Sequence, residues 1–206
     1  MRVGIVVDGQ AEFRSLPKIK ERIGAPHVIL NPLYADIQPF SSAPQIVGAV
    51  KTQLRILVRQ GAEMALVLLD HESRQECPGA WAQEISQNLA HRYGGLGMAK
   101  LGVIVKNSCF ENWLVSDIEA FTRMPRRFNL SEAAKRAIQP NKADNVDAQE
   151  ILKRAAQGDA YSKVADAIRI MMHIDPVRMA ANSRSFRKFL REIEHPLYVT
   201  QSRTPA

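Results

Sequence analysis

Cysteine is scarce in this sequence: Cys77 and Cys109 are the only two among 206 residues. Two thiols cannot build the disulfide framework of a small secreted domain, and neither has a histidine or cysteine partner at zinc-ligand spacing. A reducing, cytoplasmic setting is the expectation. No run approaches the ~20 apolar residues that cross a bilayer, so no membrane partner is expected. The opening run Val3-Gly4-Ile5-Val6-Val7 meets Asp8 where a secretory leader would continue its apolar core. A nucleotidase-type phosphate-binding loop is missing too. Gly94-Gly95-Leu96-Gly97 precedes a strand pattern and lacks the Lys-Ser/Thr ending. The serines show no triad signature, and there is no internal repeat or low-complexity segment.

What is present is globular: 46% hydrophobic and 24% charged residues, enough chain for one domain or one domain with an appendage. The net charge of +7 is unevenly placed. Residues 1–120 carry 12 Lys+Arg against 12 Asp+Glu, whereas residues 121–206 carry 16 against 9. A basic balance suits a polyanionic partner, and here it belongs wholly to the last third.

The first 120 residues alternate strand and helix patterns. Val3–Val7, His27–Leu30, Met64–Leu69 and Leu101–Val105 are short apolar runs of the kind buried on both faces of a sheet. Between them, Ile46, Val47, Val50, Leu54, Leu57 and Val58 recur at helical spacing. Ser42 can cap that helix, with Pro44 in its first turn and Gly61 past its end. A second helix is expected over 79–93 and a third over 110–121. This alternation predicts an α/β fold, a parallel sheet flanked by helices. After residue 130 only helices are expected, near 147–157, 163–173 and 183–194, with a polar loop over 141–147. Val164, Ala167, Ile168, Met171 and Met172 form a core-facing stripe on the second of these. The expected division is an α/β domain over 1–125, a basic helical extension over 126–198 and a flexible tail over 199–206.

Ligands of open parallel sheets bind beyond the carboxyl ends of the strands. Three predicted strands deliver acids there. The first runs into Asp8-Gly9-Gln10-Ala11-Glu12, the main one into Asp70-His71-Glu72, and the last is followed by Lys106 and then Glu111. Any one acid is ordinarily a helix cap or a solvated loop residue. Five carboxylates on one rim repel, and divalent cations relieve that repulsion. Hard oxygen ligands favour Mg²⁺ or Mn²⁺, which suits metal-assisted phosphodiester cleavage. Asp8, Glu12, Asp70, Glu72 and Glu111 are therefore candidate metal ligands. Lys106 is a candidate for stabilising charge on a reacting phosphate, or simply for pairing with the acids. Alternation turns His71 away from the face that Asp70 and Glu72 share. Asp117 falls on the apolar face of the 110–121 helix, where an acid must be hydrogen-bonded, paired or near a metal; it is expected to support the ligands from behind.

Over 183–194, Phe186, Phe189, Leu190 and Ile193 alternate with Arg184, Arg187, Lys188 and Arg191 on the opposite face. Ser183 is the expected cap. Such a stripe can track a phosphate backbone, or serve as a solvated or acid-pairing face. Arg14 and Arg74, close in sequence to the acids, are further candidates for contacting nucleic acid.

A strand ending in acid-Gly-x-x-Glu, followed by a second ending in acid-x-acid, resembles the Toprim catalytic core of topoisomerases, primases and overcoming-lysogenisation-defect nucleases. Three longer pieces resemble a bacterial Toprim-related family of unknown function found beside ATPases in anti-phage defence clusters. They are Val67 to Pro78, Phe110 to Asp117, and Asp175-Pro176 through Ser183 to Leu190. The resemblance implies a Mg²⁺-dependent phosphodiesterase core in which Asp8 acts at the reacting phosphate. Toprim enzymes usually have Glu in that place, and Asp-x-Asp where this chain has Asp70 and Glu72; Glu12 matches the second acid of the nuclease-type first motif. The expected function is a metal-dependent nuclease acting on DNA or RNA, transfer RNA included, in anti-phage defence or DNA repair. Its expected partners are nucleic acid, a co-encoded ATPase and other copies of the chain. A non-catalytic subunit that binds nucleic acid or the ATPase, and an enzyme of small phosphorylated molecules, are the competing expectations.

Overall fold

A computed structural model describes residues 1–23 and 26–198. The expected tail, 199–206, lies outside the described residues. The elements run β1 (Arg2–Val7), α1 (Gln10–Ser15), β2 (Val28–Ile29), β3 (Leu33–Tyr34), α2 (Ala43–Ala49), α3 (Lys51–Arg59), β4 (Met64–Asp70), α4 (Pro78–Tyr93) and β5 (Lys100–Lys106). Seven α-helices follow among the described residues: α5 (Phe110–Val115), α6 (Ile118–Thr122), α7 (Glu132–Ile138), α8 (Ala148–Ala155), α9 (Lys163–His173), α10 (Pro176–Asn182) and α11 (Arg184–Glu192).

The sheet order is β2-β1-β4-β5, with β3 also pairing β1. Every pairing is parallel. Strands β2 and β3 share the same edge of β1: Val28–Ile29 pair with Arg2–Val3, and Leu33–Tyr34 with Val6–Val7. Asn31-Pro32 interrupts them, because proline supplies no ladder donor. β1 and β4 lie at the centre and bury nearly every side chain, which explains their unbroken apolar runs.

Strand alternation separates two apolar layers. Val6, Ala65, Val67, Leu69, Val103 and Val105 pack on one side against α2, α3 and α4. Val3, Ile5, Val7, Leu66, Leu68 and Ile104 pack on the other against α1 and helices from the last third, including Phe186, Phe189 and Leu190. The helices after residue 125, expected as an extension, thus cover one face of the sheet and share its core. The α/β fold with a parallel sheet is as the sequence indicates.

Some local expectations change. The 44–60 helix is two segments joined at Val50, capped by Ser42 and Gln45 in a reciprocal box. The 110–121 helix breaks at Ser116-Asp117, where Asp117 is extended and Ser116 Oγ donates to Trp113 O (2.6 Å). On α9 the buried stripe is Asp166, Ala167, Ile170 and Met171. Val164 and Met172, expected inside, are exposed. Asp166 is tolerated because Arg127 grips it from Nε (2.9 Å) and Nη2 (2.5 Å) while Ser162 N donates to it (2.8 Å). Among the described residues, α7 and α10 fill stretches for which the sequence reading named no helix.

Candidate metal centre

The parallel ladder sets the site. Val7 pairs with Leu68, and Asp70 with Lys106, so the carboxyl ends of β1, β4 and β5 emerge side by side. Asp8 follows β1, Glu12 lies in the first turn of α1, and Asp70 ends β4. Their ligand oxygens lie within 4.8 Å of one another. Gly9 makes this approach available: a Cβ there would sit 2.0 Å from Glu12 Oε2. Asp8 Oδ2 accepts a hydrogen bond from Asp70 N (3.0 Å), which locks the two strand ends together.

Lys106 comes up from β5 beneath these acids. It is 0% exposed. Its Nζ donates to Glu12 Oε1 and Asp8 Oδ1 (3.3 Å) and pairs with Asp70 Oδ1 (3.2 Å). Burial opposes its charge, but Asp70, Asp8 and Glu12 outweigh that and hold the ammonium well above the usual lysine range. Burial pushes Glu12 up, and Asp70 well up, from ordinary carboxyl values, against the pull of Lys106. Lys106 therefore pairs with the acids, and it lines neither of the clefts that open above them.

The donor set fits a small hard divalent cation. The group offers carboxylate oxygens only, without sulfur or imidazole. Three carboxylates and one ammonium leave two formal negative charges, which a divalent ion would balance. Asp70 Oδ1 is buried, with the Lys106 ammonium at 3.2 Å but no hydrogen bond of good geometry.

The remaining candidate residues take other places. Glu72 is exposed at a positive φ of 53° and stands beside Asp70 on the cleft walls, outside the three-acid group. Glu111 is fully buried and also outside that group; neither oxygen has a hydrogen bond, and Lys163 Nζ stands 3.6 Å away. Burial and then Glu111 push the Cys109 thiol up to about 12 and raise the Tyr161 hydroxyl as well. His71 is buried against Trp81, its Nε2 at 2.8 Å from Glu76 O.

Asp117 does not support the acids. It accepts hydrogen bonds from Arg178 Nε (2.8 Å) and Nη2 (3.1 Å) and from Asp175 N (2.8 Å), tying α6 to the start of α10. An acid on an apolar face was the right signal, and a structural fork is what satisfies it.

The basic stripe is only partly available to a polyanion. Arg184 is exposed. Arg187 donates to Ala180 O and to Asn141 Oδ1 (2.6 Å), Lys188 is part-buried, and Arg191 stands 3.6 Å from Glu192. The opposite face of α11 is buried as expected, and Ser183 caps it, accepting from Phe186 N (3.1 Å). Arg14 is exposed on α1, against the ring of Phe13.

Arg74 is better placed. It stacks on Trp81 (4.0 Å), donates to Ser41 O (2.9 Å) and lines a cleft together with Asp8 and Asp70. Two residues that the sequence reading did not select, Phe40 and Lys163, line both clefts. Phe40 gave one signal, an aromatic between Pro39 and Ser41-Ser42 in a stretch with neither strand nor helix periodicity. Lys163 gave none, since its ion pair with Glu111 spans 52 positions.

No curated protein and no solved structure matches the chain. The family model described as Domain of unknown function (DUF4276) matches residues 8–194, and the chain belongs to that family.

Proposed function

We propose that the protein is a divalent-metal-dependent phosphodiester hydrolase acting on nucleic acid, with Mg²⁺ or Mn²⁺ held by Asp8, Glu12 and Asp70. The observation that carries this reading is the convergence of these three carboxylates within 4.8 Å at the strand ends. When bound, such an ion supplies an activated water and stabilises the leaving oxygen. The chain's own contribution is positional. Gly9 lets Glu12 approach, the Asp70 N–H fixes Asp8, and Lys106 holds the carboxylates together from below. Lys106 stays protonated and is no general base. The resemblance to Toprim cores supports the same chemistry, and the setting it implies, anti-phage defence or DNA repair beside an ATPase, belongs to the proposal.

One observation favours a second reading. Lys106 already contacts all three acids, so the group can stand as a structural ion-pair cluster in a non-catalytic subunit. Cleavage of labelled DNA and RNA with Mg²⁺, Mn²⁺ or EDTA separates the two. The hydrolase reading expects metal-dependent products that vanish in Asp70→Asn while circular dichroism is unchanged. No products with any metal, or products that persist in Asp70→Asn, would overturn it.

A further inference from the structure

Two clefts meet over Asp70, and their walls carry an aromatic ring and cations beside the further acids Glu72 and Asp147. The larger encloses about 620 Å³ and the smaller about 170 Å³. Asp70, Glu72, Phe40 and Lys163 line both. Phe40 is 61% exposed, a large apolar ring left in water at the rim of a charged site. Its backbone is left-handed, with φ 61°, a conformation a bulky residue rarely adopts. Of the five non-glycine residues with positive φ among the described residues, three, Phe40, Glu72 and Ser108, line the larger cleft. Such conformations persist where the surroundings enforce them, and they gather at binding sites.

One cation stands over a face of the ring, and a second lines the same two clefts. The Arg74 guanidinium lies 5.7 Å from the Phe40 centroid and is itself stacked on Trp81. Lys163 has its side chain 56% exposed. Burial alone would lower its pKa, but Glu111, Asp70 and other neighbours raise it, so it carries full charge at neutral pH. An exposed aromatic face flanked by cations is how proteins hold single strands, stacking an unpaired base while the cations track phosphates. In a paired duplex that base face is covered by its neighbours.

We propose that the substrate is single-stranded nucleic acid, one base stacking on Phe40 while Lys163 and Arg74 bind the flanking phosphates above Asp70. This rests on the hydrolase reading for its chemistry but is tested by binding alone. DNA and RNA offer the same stacking and phosphate chemistry.

The test is fluorescence anisotropy of the full chain with labelled 12-mer oligodeoxythymidylate, oligouridylate and a 12-bp duplex, in Ca²⁺ buffer over a salt series. Single strands are expected to bind tighter than the duplex. Phe40→Ala should weaken single-strand binding by about tenfold, the order for loss of one stacked base, and Phe40→Trp should restore it. Phe40 is exposed, so neither variant should impair folding. Lys163→Ala should flatten the salt dependence by roughly 0.7 in log–log slope, as expected for one phosphate contact. Binding of either sugar type supports the proposal, and the tighter one assigns the substrate. Duplex binding equal to or tighter than single-strand binding, or single-strand affinity unchanged in Phe40→Ala, would overturn it. Single-strand binding without cleavage under any metal would sink the hydrolase reading and leave this recognition standing; duplex cleavage unaffected by Phe40→Ala would do the reverse.

Discussion

Replacing Lys106 with methionine keeps an apolar stem of similar length in β5 and removes the one ammonium beneath Asp8, Glu12 and Asp70. Removing one partner of a buried ion pair costs about 3–5 kcal/mol, because the remaining charge is left uncompensated. For a chain of this size a kcal/mol corresponds to about 2–4 °C, so the melting temperature should fall by roughly 6–20 °C at pH 8 in EDTA. Protons and metal ions should each relieve that loss. The Glu12 and Asp70 pKa values are already raised in the wild type, and losing Lys106 pushes them further. A carboxyl whose folded pKa exceeds its unfolded value of about 4 favours folding below that value and loses the contribution as pH rises through the folded one. The variant should therefore lie closest to wild type in mild acid and fall behind as pH rises. If the acids also bind divalent cations, Mg²⁺ at a hundredfold its Kd returns about 2.7 kcal/mol. That gain should be larger in the variant than in wild type, since it has one more charge to neutralise. Differential scanning fluorimetry over pH and Mg²⁺ measures all of this. A variant melting within about 2 °C of wild type at pH 8, indifferent to pH and Mg²⁺, would refute the electrostatic account.

Three further outcomes are expected. Gly9→Ala should push Glu12 away from Lys106, costing about 1–3 kcal/mol of stability and weakening metal binding, measurable by thermal melts with and without Mg²⁺. Arg178→Ala leaves Asp117 buried without its fork and should lower stability by about 2–3 kcal/mol in urea unfolding, with the metal dependence of any cleavage unchanged. Cys77 is exposed at the start of α4, where the Ala80 and Gly79 N–H groups lower its pKa, while that of Cys109 is about 12. Iodoacetamide at pH 8 should thus label Cys77 far ahead of Cys109 by peptide mass spectrometry; equal labelling would contradict the burial assigned to Cys109.

The sheet was legible because its central strands are buried on both faces and show it as unbroken apolar runs at 3–7 and 64–69. The three clustered acids were legible for a related reason: strand ends in a parallel sheet lie on one edge, so Asp8, Glu12 and Asp70 needed only that topology. Lys106 was seen, but not its depth, which depends on β5 aiming it beneath the acids. The distribution of cations was less legible. Arg187 shows an exposed helical pattern in sequence, yet its guanidinium is taken by Ala180 O and Asn141, contacts that only the tertiary arrangement creates. Asp117 illustrates the same limit, since its partners Asp175 and Arg178 lie about 60 positions away. Phe40 and Lys163 meet at the clefts from segments with no shared periodicity, so no local pattern could join them.

The central claim is that Asp8, Glu12 and Asp70 hold a divalent cation above Lys106. Anomalous diffraction from crystals grown with Mn²⁺ tests it most directly. The account predicts a single strong peak at roughly 2–2.5 Å from oxygens of all three carboxylates, abolished in Asp70→Asn crystals. A map with no peak there, with Lys106 Nζ still contacting all three acids, would contradict it.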